Sequence, residues 1–62
     1  MTKTKLADAL GDLADLMFQR AADISLVWAT GEPDDKLATY ANEMHAGAET
    51  VTGWAQELRE ES

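Results

Sequence analysis

The sequence predicts an all-α fold, an antiparallel helical hairpin that dimerises into a four-helix bundle. Three observations carry that expectation. Apolar residues recur at steps of three and four through both halves of the 62-residue chain. A helix stop followed at once by a helix start sits at the midpoint. The apolar arc of the first half is also wider than one neighbouring helix can cover.

The midpoint reads Thr30-Gly31-Glu32-Pro33-Asp34-Asp35. Gly31 is suited to close the first helix in the left-handed conformation, where a Cβ would clash. Pro33 has no N–H to lose at a first helical turn, and its φ is already set for one. Asp34 and Asp35 put negative charge at the positive end of the second helix dipole. One domain over residues 1–62 follows, with a helix over about 3–30, a turn at 31–33 and a helix over about 33–60.

In the first helix, Thr2 or Thr4 supplies the N-cap. Leu6, Leu10, Leu13, Met17, Ile24 and Val27 occupy the a and d positions of a heptad, with Arg20 holding one d place. Ala7, Ala14, Ala21 and Trp28 run beside them at sevens, and Asp8, Asp12, Asp15 and Gln19 take the other side. Arg20, as the polar break in that seam, would fix register or oligomeric state.

The second helix is more regular. Leu37, Ala41, Met44, Ala48, Val51, Ala55 and Leu58 alternate larger and smaller residues along one seam, flanked by Tyr40, Gly47 and Trp54. Small residues facing larger ones let helices interdigitate closely. Gly47 lies on that apolar face, where close approach gives it a reason. Gly53 has none visible in the sequence, and each glycine costs roughly 1 kcal/mol in helix propensity. The dimer core is expected at Leu10, Leu13, Met17, Ile24, Ala41, Met44, Ala48, Val51 and Ala55. Antiparallel pairing brings level those residues whose numbers sum to roughly 63. Lys3 and Lys5 then meet Glu57, Glu60 and Glu61, and Arg20 meets Glu43.

Composition narrows the function. The chain carries 12 acidic and 5 basic residues, a formal net charge of −7. A phosphate-backbone binder needs a basic face, so nucleic acid is disfavoured as a partner. No apolar run approaches the ~20 residues that span a bilayer, and Asp8, Asp12 and Asp15 interrupt any leader-like segment after Lys3 and Lys5. Cysteine is absent, which removes disulfides as a support and suits a reducing compartment. The expectation is a cytoplasmic protein with no membrane association. Small domains of this size need help to bury a core, and self-association is the remedy left, with docking onto a larger partner as the other possibility.

Catalysis finds little purchase. His45 and Glu49 stand four apart, but no Glu-x-x-His occurs, as a bundle di-metal site would require. His45 reads instead as an edge-of-core or solvated residue. No nucleophile–base pair and no inward-facing carboxylate seam is present. Neither an enzyme nor a cofactor is expected. The residues that call for a partner are Leu16, Phe18, Leu26, Trp28, Tyr40 and Trp54, which the a/d seam does not need. Trp and Tyr are typical interface anchors, so these six are expected to form an apolar–aromatic patch.

With its sixty-odd residues, hairpin pattern and layered small and large core positions, the chain resembles the Rop family of plasmid-encoded RNA-binding proteins in layout, without a residue motif in common. That resemblance implies a dimeric four-helix bundle with RNA on the first-helix face, where Lys3, Lys5, Arg20 and Phe18 would serve. The chain also looks like small helical inhibitors of phage and plasmid origin that dock on a host regulator or enzyme. The leading expectation is a regulatory or inhibitory homodimer that binds a larger host protein, such as a transcriptional regulator. The alternatives are a Rop-like RNA-binding modulator and an acidic nucleic-acid mimic built on Asp8, Asp12, Asp15 and Asp23.

Overall fold

A computed structural model describes residues 1–31 and 34–61. Two helices account for nearly all of them, α1 over Lys3–Thr30 and α2 over Asp35–Glu61. They pack on each other as a hairpin about 46 Å long and 13 Å across.

Each helix end has a local cause. Thr2, with extended backbone, accepts the Lys5 N–H on its Oγ1 at 3.1 Å, so Thr2 rather than Thr4 caps α1. Asp34 does the same for α2, where its Oδ1 accepts the Lys36 N–H at 2.9 Å. Asp34 is thus the cap and Asp35 the first helical residue, two positions later than the expected start. Pro33, the expected first helical residue, and Glu32 lie outside the described residues.

Gly31 closes α1, but not in the expected conformation. Its φ of −109° and ψ of −151° are extended, and its N–H donates to the Val27 carbonyl at 2.8 Å. The demand for glycine comes from contact instead of φ. A Cβ at this position would stand 2.8 Å from the Val27 oxygen, a backbone atom that cannot step aside.

The seam between the helices is made of alanine. Ala7, Ala14 and Ala21 are buried on α1, and Ala41, Ala48 and Ala55 on α2, with Val51 beside them. Phe18 touching His45, and Lys3 paired with Glu61, fix an antiparallel register close to the expected one. In that register Ala7 lies level with Ala55, Ala14 with Ala48, and Ala21 with Ala41. Alanine at seven-residue spacing on both helices lets the backbones approach closely, because nothing larger than a methyl group stands between them. The row that faces α2 is therefore the one the sequence puts beside the a/d stripe. The larger a/d residues of α1 fall to one side of the seam, and Leu6, Leu13 and Val27 remain exposed.

Candidate functional site

An α-helix turns 100° per residue, so the alanine seam divides the rest of the hairpin into two opposed sides. Met17 and Gly47 mark one side. The Met17 Cε lies 3.1 Å from where a Gly47 Cβ would be, which gives Gly47 the packing role expected of it. Gly53 has nothing within 4 Å of its Cβ position. Flanking Met17 at helical spacing are Leu6, Leu10, Leu13, Ile24 and Val27. Flanking Gly47 are Leu37, Tyr40, Met44, Val51, Trp54 and Leu58. This side is a broad apolar surface, in which Leu13 is 45% exposed and Trp54 53%. Arg20, a charge within it, is paired with Asp23 one turn along α1, and not with Glu43.

Phe18 and His45 mark the other side. Their rings meet edge to face at 5.0 Å between centroids, and His45 Nδ1 lies 3.2 Å from Glu49 Oε1. A trough runs along this side between the helices. At the open end it widens to a hollow of about 440 Å³ lined by Asp8, Gly11, Asp12, Asp15, Thr52 and Arg59, among others. Arg59 Nη2 lies 3.1 Å from Asp8 Oδ1 there. Near the turn it widens again to about 370 Å³, walled by Trp28 and floored by Ala29, Ala38 and Ala41. A narrower stretch of about 200 Å³, lined by Phe18, Ala22, Ser25 and His45, continues the turn-end hollow as far as the Phe18–His45 contact, which stands between it and the hollow at the open end.

The six residues expected to form one patch therefore divide among three places. Tyr40 and Trp54 belong to the broad apolar side. Phe18 and Trp28 line the trough, and Phe18 is half-buried against His45. Leu16 and Leu26, turned away from the seam on the back of α1, are 46% and 61% exposed. The expected dimer core divides as well. Ala41, Ala48, Ala55 and Val51 are already buried inside one hairpin, whereas Leu10, Leu13, Met17, Ile24 and Met44 sit on or beside the apolar side. Ala7, Ala14 and Ala21, absent from the expected core, carry half of the seam.

Lys3, Arg20 and Arg59 are engaged at the surface. Lys3 reaches Glu61 at 3.5 Å and Arg20 is held by Asp23. Among the described residues, no group of three or more potential metal-ligating side chains converges, and no helix is long and apolar enough to cross a membrane. The chain matches no known protein family, no curated protein and no solved structure.

Proposed function

We propose that this chain is a non-enzymatic binding protein that works as a homodimer. Two hairpins pair through the apolar side into a four-helix bundle, and the remaining surface docks on a larger host protein to block or modulate it. The observation that carries this reading is the one-sidedness of the hairpin. Only small residues are buried inside a single chain, while Leu6, Leu13, Val27, Tyr40 and Trp54 stand out together on one side. Fully burying side chains of this kind contributes about 1.5–3 kcal/mol each. These five are already about half covered within one chain, so burying the rest contributes roughly 4–8 kcal/mol in all, a large part of the whole stability of a small domain, ~5–15 kcal/mol. Covering that side with a second copy gives each helix two neighbours, as a bundle requires.

A protein partner is favoured over RNA by charge. The net charge is −7, and Lys3 and Arg20, which an RNA-binding first-helix face would use, are paired with carboxylates.

Sedimentation equilibrium at micromolar concentration tests the reading. The expected mass is twice 6.8 kDa, and Leu13→Asp together with Trp54→Glu should reduce it to one chain. A single 6.8 kDa chain that melts cooperatively on its own would overturn the dimer.

A further inference from the structure

The trough opposite the apolar side has features that point to a particular occupant. Small residues, Gly11, Ala22, Ser25, Ala29 and Ala38, line it on either side of the Phe18–His45 contact, so another backbone can come close there. Every stretch of wall is helical, with no strand edge to pair an extended peptide, so recognition has to run through side chains. The two ends differ in chemistry. Trp28 and its alanine neighbours make the turn end apolar. Asp12 and Asp15 line the open end with no ion pair among the described residues, whereas Asp8 is matched by Arg59. Sixteen residues separate Asp12 from Trp28, a rise of about 24 Å, or four to five helical turns.

Resting on the reading of the chain as a binding protein, we propose that this trough takes one amphipathic helix of a partner protein. That helix carries Lys or Arg against Asp12 and Asp15, and about four turns away a large apolar side chain beside Trp28. Its ridge of side chains lies over the alanine and glycine floor, and its flanking cations meet the carboxylates at the open end. A second copy of this chain suits the trough poorly, because each chain carries a net charge of −7 and would bring carboxylates against carboxylates. Nucleic acid is disfavoured by the same charge.

The test begins with a display library of randomised helical peptides selected on the full chain. The best-enriched peptide is then synthesised and titrated into the Trp54→Phe variant, in which Trp28 is the sole tryptophan. The expected outcome is enrichment of peptides with a basic end and an apolar anchor about four turns apart, which shift Trp28 emission to the blue. Affinity should fall at least about tenfold in Asp12→Lys/Asp15→Lys and should weaken with salt. Ala22→Phe, which fills the narrow stretch from an exposed position and leaves Trp28 the sole tryptophan, should also abolish the response while far-UV circular dichroism stays helical. The proposal is overturned if nothing enriches, or if the enriched peptides are neutral or acidic. It is overturned equally if these substitutions leave binding unchanged, or if the peptide competes with self-association and so lies on the apolar side. A blue shift of Trp28 on concentrating the protein alone would put a second copy in the trough and would also overturn it. Sedimentation of the same samples separates the two readings. A dimer without a peptide response removes the trough proposal alone, and a monomer with one removes the dimer alone.

Discussion

Met17 and Gly47 interlock across the hairpin, with the Met17 Cε 3.1 Å from the point where a Cβ on Gly47 would stand. The contact is tight, but it is made by the far end of a flexible side chain. Gly53, six residues on, meets nothing. The two glycines carry the same propensity cost of roughly 1 kcal/mol for different structural returns. Gly53→Ala is therefore expected to recover nearly all of it and to raise Tm by about 4–8 °C. Gly47→Ala should recover less, because Met17 must shift. Thermal melts followed by circular dichroism check the order, and a larger gain at position 47 would contradict the packing described.

Asp34 sets the start of α2 through its bond to the Lys36 N–H. Asp34→Ala should cost about 0.5–2 kcal/mol in urea unfolding, while Asp34→Asn, an equally good cap, should cost little. If both substitutions cost the same, charge at the helix end rather than capping is what Asp34 supplies.

The seam and the apolar side should answer differently to substitution. Ala14 and Ala48 are 1% and 0% exposed, so Ala14→Leu or Ala48→Leu should force the helices apart at a cost of about 1–3 kcal/mol. Leu13→Asp, on a half-exposed residue, should leave the helicity of a concentrated sample largely intact but lower the sedimenting mass. A loss of mass with Ala14→Leu at unchanged Tm would mean that the two surfaces have been exchanged.

Ionic strength offers a further check. The ion pairs Lys3–Glu61 and Asp8–Arg59 are exposed and worth about 0–1 kcal/mol each. Pairing two chains of net charge −7 sets a larger repulsion against them. Raising NaCl from about 10 mM to about 500 mM shortens the screening length from ~30 Å to only a few Å. Self-association should therefore tighten with salt, as read by concentration-dependent melts. Weakening would show that attraction between charges holds the copies together.

The hairpin was legible in the sequence because its signals are local. Heptad spacing, the Gly31–Asp34 break and the acid-rich outer side of α1 each act within a few residues. The seam was harder to read because hydropathy ranks leucine above alanine. Leu6, Leu10 and Leu13 look like the natural core of α1, yet the row that meets α2 is Ala7, Ala14 and Ala21. The usable signal was alanine at intervals of seven on both helices, which marks close approach more surely than bulk does. Choosing the alanine row rotates α1 by about 40–100°, and that rotation divides the expected aromatic patch. Phe18 and Trp28 turn to the trough, and Tyr40 and Trp54 to the opposite side. The trough itself had no linear signature, since Asp8 and Arg59 lie 51 positions apart in sequence.

A zipper of identical methyl groups has a weakness of its own: it cannot tell one tooth from the next. Sliding α2 along α1 by seven residues, about 10.5 Å, would set alanine on alanine again at two of the three levels. What forbids the slip is the short leash between Thr30 and Asp35, helped by the Met17–Gly47 notch. The connection thus acts as the ruler of the whole molecule. Splicing a flexible loop into it should blur the alignment of every residue on both sides while leaving each helix intact.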